Sequence, residues 1–412
     1  MPALVLAALL LSAASAETTK AEECPAEVAS LELAWEAKGE GIEYARGGWG
    51  KPVKEGRRRK GPIPVAFHLV RISLAEAGQT GGLTLRALRI PDRSGKVEEM
   101  VAWARQGGAL VEAAVNGDYY PPGQTSRDPL GLLVSGGRPL AASHGTTGLL
   151  LDSDNRAHIG KHEFRMQVSG GGILLEVADM NRKAGRHEAV LYAGRYRTRS
   201  EAQWGCRALR LLPPPGEPVV NRTVPVQVVA VGDAGRLRTF QAEEYLLVAC
   251  GKSAEPLADV TMQTQLSLEV RVPGVDWVTV EALSGGPRIL RDGNVSIETR
   301  DEGLTPGMKG WVPKRHPRTA AGVSADGRTV VLLMAEGRLP HTDGMTAVEA
   351  ACVMRGVGAA DALLFDGGGS SSLLLGDNFV SKPQLWHNRS GRAVADTLAV
   401  VRMGTGTPIQ EE

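Results

Sequence analysis

The sequence predicts an α+β protein with a mixed β-sheet core and flanking helices. Three observations carry that reading. From Ile63 onward the chain is a series of short apolar, β-branched runs separated by Gly and Pro. Only two convincing helical stretches interrupt them. Glycine reaches 51 residues while aromatics make up 4%, a mix suited to tight turns and close backbone approach rather than a helical bundle.

In order along the chain, the strand-like runs are 65–72, 83–90, 131–134, 172–177, 226–231, 245–249, 266–272 and 329–334. The helices are expected near 95–106 and 346–355, where apolar residues recur at helical spacing. No Pro/Ser-rich linker divides 61–405, so this stretch reads as one domain, with a short tail over 406–412. Apolar residues are 42% of the chain, enough for a sizeable core. Lys plus Arg number 47 against 46 acids. That balance leaves no electrostatic footprint for nucleic acid, while a local arginine can still bind a small anion.

The first 16 residues are almost wholly apolar and end in Ala14-Ser15-Ala16, a small-x-small cleavage pattern. The stretch is shorter than the roughly 20 residues that span a bilayer. It reads as a cleaved export signal, which implies a secreted or periplasmic protein with no stable membrane insertion. No Lys or Arg precedes the apolar run. Residues 17–60 read as an extension and linker, with a helix over 25–37 and a solvated basic run, Arg57-Arg58-Arg59-Lys60. Four cysteines in an oxidising compartment allow two disulfides in three pairings. Cys206 with Cys250 is the expected bond, and Cys352, in an apolar helical stretch, reads as a buried thiol. Asn221, Asn294 and Asn388 head N-x-Ser/Thr sequons.

The two helical stretches look like copies of one unit. Glu99–Arg105 leads through Gly108-Ala109 and an apolar run to Asn116-Gly117, and Glu349–Arg355 leads through Gly358-Ala359 to Asp366-Gly367. Every paired position is separated by the same 250 residues. We therefore expect a pseudo-two-fold core whose strand tips bring Asn116 and Asp366 to one cleft.

Asp366-Gly367-Gly368-Gly369-Ser370-Ser371 is the strongest chemical signal. A carboxylate at a strand end followed by three glycines lets a ligand reach bare backbone N–H groups, and the serines add hydroxyl donors. No Gly-Lys-Ser/Thr follows, so this is not a Walker loop. Ser372 stands where a nucleophile elbow requires Gly. The second element is Asn116-Gly117-Asp118-Tyr119-Tyr120-Pro121-Pro122-Gly123, whose amide and acid suit sugar hydroxyls or a water and whose rings suit a sugar face. Ser284-Gly285-Gly286-Pro287 reads as a loop with exposed donors. Arg318-Thr319 supplies a guanidinium fork for phosphate, and Glu336-Gly337-Arg338 another acid and cation at a strand end.

These motifs, with Gly344-Met345-Thr346, occur in the order seen in the phosphodiester glycosidase family, which the chain resembles over about 63–403. Tyr119-Tyr120 stand where that family usually has Phe, and Glu336 where it more often has Asp. The resemblance implies an exported hydrolase that cleaves a sugar's anomeric bond to a phosphodiester. Asp366, Asn116, Asp118 and Glu336 would then be catalytic. Arg318, Thr319, Gly367, Gly368, Gly369, Ser370, Ser371, Ser284, Gly285, Gly286 and Arg338 would bind substrate or phosphate. A phosphomonoester is already a good leaving group at an anomeric carbon, so demand falls on binding the anion and stabilising an oxocarbenium-like transition state. The implied partner is a small carbohydrate-phosphate or glycan, with no nucleic acid, and oligomeric state is left open.

No cofactor is expected, and no metal ligand set is assigned. A metal-dependent phosphodiesterase is the first alternative, with Asp118, Asp361, Asp366, His158 and His162 as donors. The histidine pair lacks the helical frame of a zinc motif. A non-catalytic envelope protein that binds or helps export a polysaccharide is the second, and an ordinary O-glycosidase the third.

Overall fold

The computed structural model describes residues 24–50, 64–91, 93–121, 128–142, 145–194, 200–300, 302, 304, 306–339, 341–380 and 391–404. The signal sequence, the 57–60 basic run, Pro122, Gly123, Asn388 and the tail lie outside them. With 43% strand and 12% helix, β-structure carries the frame, and two helices pack against it.

Four sheets form it. The first runs Glu36–Gly39, Ile42–Trp49, Val65–Ser73, Thr329–Ala335, Arg318–Val323, Asp361–Leu364, Arg288–Arg291, Asn294–Val295. The second runs Asn378–Phe379, Leu373–Leu375, Leu110–Asn116, Thr397–Arg402, Leu83–Leu88. The third holds Arg138–Ala141, Leu133–Ser135, Thr279–Ser284, Thr147–Asp152 and Ala157–Lys161, and an eight-stranded fourth lies within 165–271. All strand pairs in the first three sheets are antiparallel; Asp179–Met180 beside Ala189–Ala193 in the fourth is parallel. Among the described strands the fourth sheet alone is mixed, through that two-residue pair, where one mixed core was expected.

The central strands are apolar on both faces because they are covered on both faces. Val115, Leu283, Leu363, Phe365, Leu373 and Leu398, from three sheets, share one buried cluster. Each such side chain contributes about 1.5–3 kcal/mol on burial, which holds the sheets together at the seam where they meet. The helix Ala347–Gly356 covers the first sheet and starts with a full capping box. Thr346 Oγ1 accepts from Glu349 N at 3.2 Å, and Glu349 Oε2 accepts from Thr346 N at 2.9 Å.

The two helix–strand units share their local geometry. Gly108 and Gly358 both take left-handed φ, +88° and +93°, just past a helix end. Ala109 N donates to Ala104 O, and Ala359 N to Met354 O. The following strands then enter different sheets with different neighbours. The likeness of the two units ends there, at the end of the helix and its glycine turn.

Three expectations are corrected. The helix over 25–37 is a single turn, Ala26–Ala29, and Glu36–Gly39 is a strand. Leu31, Leu33 and Trp35 alternate with exposed residues and pack on the second core cluster, so period two wins over helical propensity. The supposed extension and linker therefore supplies two strands of the first sheet. Cys352 is not a free thiol but bonds to Cys24, stapling the N-terminal segment to the covering helix. Cys206–Cys250 forms as expected. Asn221 is 7% exposed and its amide is spent on Trp277 O and Val272 N, whereas Asn294 is exposed.

Candidate active site

Asp366 leaves the strand Asp361–Leu364 at the seam of the first and second sheets. Phe365 N donates to Thr319 O at 2.8 Å, and Asp366 N to Gly117 O at 2.9 Å. Asn116 locks the junction from the other side. Its Nδ2 donates to Asp366 O at 2.7 Å, and its Oδ1 accepts from Thr319 Oγ1 at 2.7 Å and Ser372 N at 3.0 Å. The two strand tips do converge. Asn116 and Thr319 are both wholly buried, so their polar groups serve each other and place Asp366.

The glycines make room for two cations. Gly368 has φ +65°, and a Cβ there would stand 3.1 Å from Arg338 Nη2; a Cβ on Gly369 would stand 3.0 Å from Arg392 Cζ. Side chains would push both guanidiniums off the turn. Gly367 begins the short 3₁₀ turn Gly368–Ser370, and Gly368 N donates to Pro317 O at 2.9 Å, removing one donor from the expected nest. The Ser370 and Ser371 hydroxyls are buried, with no hydrogen-bond partner among the described residues. Buried hydroxyls of this kind call for a ligand or water.

Arg338 follows a strand end with φ +56°, and its Nη2 donates to His316 Nδ1 at 3.2 Å. Burial and the positive charge of Arg392 lower its pKa, while Asp366 opposes them. Two like charges and one carboxylate thus sit around one turn. His316 is pushed down to about 4 by burial and by Arg318, Arg338 and Lys314, so at neutral pH it is an acceptor for Arg338. Arg392 Nη1 reaches Tyr120 Oη at 3.4 Å. Tyr119 Oη donates to Gly286 O at 2.9 Å, and burial raises its pKa further from neutrality.

Two more acids stand beside Asp366. Asp118 accepts from Tyr119 N and Gly131 N, both at 2.7 Å. Asp396, at the tip of the strand Thr397–Arg402, is wholly buried. Its Oδ1 accepts from Asp118 N at 2.7 Å, and its Oδ2 has no hydrogen-bond partner among the described residues. Burial raises both carboxyls, each raised further by other acids nearby: Asp118 well above the usual range, Asp396 to about 7.

Four sequence expectations meet a different arrangement. Arg318 Nε donates to Met345 O, and its Nη2 faces Trp311, Val312 and Lys314 carbonyls. That edge of the fork is spent on backbone, so Arg318 holds the loop instead of offering phosphate a two-pronged contact. Ser284 is buried with Oγ accepting from Leu132 N, Gly285 N donates to Thr147 O and Gly286 N to Leu364 O. The Ser-Gly-Gly segment therefore rivets the third sheet to the first, because Gly285 lies against Leu364 O where no Cβ fits. Both Asp118 oxygens are held by backbone N–H groups, as noted. Glu336 is 3% exposed, with Oε1 on His68 Nε2 at 3.0 Å and Oε2 on His341 Nε2 at 2.8 Å; Tyr44 Oη meets His68 Nδ1 at 2.8 Å. Burial alone would raise its carboxyl, but the two histidines outweigh this and bring it to about 2. Glu336 is an anchored anion beneath the Arg338 loop, with no oxygen open to act as a base.

His158 binds Asp152 Oδ2 at 2.8 Å and stacks on Trp277, while His162 is half-buried and pushed down to about 4, by burial first and then by His158. Among the described residues, no group of three His, Cys, Asp or Glu side chains is arranged to hold a metal ion.

Sequence reading missed Arg392 and Asp396. Gly391-Arg392 after a polar stretch and Asp396-Thr397 at a strand start were the available signals, and both are common in turns and strand ends.

The site is a glycine turn lined by two guanidiniums and two buried serine hydroxyls, with an acid at its edge, set at a sheet junction. Residues 221–401 match the phosphodiester glycosidase family. A segment of 86 residues is 34% identical to the SPbeta prophage-derived uncharacterized protein YomE of Bacillus subtilis. That match covers 21% of this chain and 13% of the relative. A hypothetical protein from Synechocystis has a similar structure, with TM-score 0.64 and 18% identity, over 90% of this chain and 64% of that one. A Burkholderia pseudomallei protein described as exported gives TM-score 0.64 and 20% identity, over 93% of this chain and 98% of that one. At these identities the two structures speak for the fold alone.

Proposed function

We propose that this protein hydrolyses the bond between a sugar's anomeric carbon and a phosphodiester, releasing free sugar and a phosphomonoester. The observation that carries the reading is the Asp366–Ser371 turn. It joins a carboxylate, two guanidiniums seated on glycines and two buried hydroxyls without partners. Arg338 and Arg392 fit the phosphate oxygens, and Ser370 and Ser371 add neutral donors. Asp366 is the group for activating water, attacking the anomeric carbon or stabilising positive charge there. Two disulfides and the apolar leader support action outside the cytoplasm.

The test is a panel of sugar-1-phosphodiesters, nucleotide sugars included, with free sugar as readout. Wild type should release sugar from at least one, and Asp366→Asn should lower kcat by on the order of a thousandfold with an unchanged melting temperature. No release from any substrate would reject the reading, and full activity in the variant would remove Asp366 from it.

A further inference from the structure

Three strand tips deliver three acids to one place: Asp118 after Leu110–Asn116, Asp366 after Asp361–Leu364 and Asp396 before Thr397–Arg402. A site for an anion cannot carry three negative charges at its floor. The hydrogen bonds show which acid gives way. Burial and Asp396 raise the carboxyl of Asp118 too, but it accepts a backbone N–H on each oxygen, and these bonds pull against that rise. Asp396 accepts one N–H, from Asp118, and its other oxygen is buried and bare.

We propose that Asp396 is the charge-setting residue of this site: it carries a proton on Oδ2 while an anion is bound, and its ionisation expels that anion. The proposal rests on the site being the phosphodiester site described above. A neutral Asp396 still accepts from Asp118 N and so still shapes the Asn116–Asp118 corner. An ionised Asp396 adds a buried negative charge that neither Asp118 nor Asp366 can balance. The groups facing it are these two acids and Arg89, whose Nη1 is spent on Ala395 O and whose Nη2 reaches Asp128 Oδ1 at 3.2 Å. The changeover falls near neutrality: burial raises Asp396, the Asp118 N–H and Arg89 pull it back, Asp366 raises it again, and it stands at about 7. Asp396 is a positioning residue here, and it discriminates by substrate charge.

Dimethyl phosphate keeps a single charge from pH 5 to 9 and is the probe, titrated into the whole protein at low salt. Wild type should lose roughly tenfold in affinity from pH 6 to 8, while Asp396→Asn, which stays neutral, keeps one affinity throughout. Equal pH profiles for the two would overturn the proposal. Melting offers a second reading that needs no ligand. The folded state holds a proton that the unfolded state releases above about pH 4. Wild type should therefore lose melting temperature relative to Asp396→Asn as pH rises from 4 through 7; a constant gap would count against it. Should the variant not fold, a flat wild-type affinity from pH 6 to 8 would be enough to overturn it. Binding that switches with pH in a protein that hydrolyses none of the panel would leave this inference standing and reject the reaction.

Discussion

Replacing Asn116 with alanine would strand the Thr319 hydroxyl, the Ser372 N–H and the Asp366 carbonyl at once. A buried polar group left unpaired costs about 1–3 kcal/mol. Thr319 is wholly buried, while Ser372 is half-buried, so water can satisfy part of the loss. We expect about 3–5 kcal/mol overall. That is a large fraction of the roughly 5–15 kcal/mol typical of a folded domain, yet small enough for the variant to fold. Urea unfolding would show it as a lower midpoint with an unchanged slope. Asn116→Asp sharpens the test. It keeps the acceptor for Thr319 and Ser372 but turns an oxygen towards Asp366 O. At acid pH the new carboxyl is protonated and can donate to that carbonyl, so the variant should regain stability as pH falls below its raised folded value and lose it as pH rises. A loss below about 1 kcal/mol for the alanine variant, or no pH response in the aspartate one, would refute the claim that this amide joins the strand tips.

Arg318→Lys should lower the melting temperature more than it alters KM, since one ammonium cannot replace a fork set among four carbonyls; melting and kinetics on one preparation decide it. Arg338→Gln and Arg392→Gln should each raise KM for a phosphodiester roughly tenfold, with little effect on a neutral aryl glycoside if one is cleaved. Glu336 has a folded value of about 2 against its usual 4.5. Its contribution to stability is present above that usual value and lost as pH falls from about 4.5 towards 2. Glu336→Gln should flatten that acid limb of the melting curve.

What could be read without coordinates was set by local pattern. The Asp366 loop follows four apolar residues and leads into another apolar run, a grammar that survives folding unchanged. The matching spacing of Asn116 and Asp366 foretold that their strand tips meet, while the two strands belong to different sheets. Illegible were the facts decided by neighbours distant in sequence. Arg318-Thr319 looks the same in a sequence whether its guanidinium faces a ligand or four carbonyls. Glu336 offered a carboxylate until His68, from a strand far upstream, and His341 took both its oxygens. Asp396 stands just before an ordinary apolar strand, and only Asp118 and Asp366 give its charge meaning. The leading segment misled because a glutamate- and alanine-rich stretch has helical propensity, whereas Leu31, Leu33 and Trp35 dock with the period of an extended chain.

Which bond breaks can be measured by running turnover to completion in oxygen-18 water and weighing the phosphomonoester. Attack at the anomeric carbon leaves the phosphate oxygens unlabelled, and that is the outcome expected for a carboxylate beside a cationic turn that holds the phosphate. A phosphomonoester carrying one heavy oxygen would mean that phosphorus is attacked, and the site would be a phosphodiesterase.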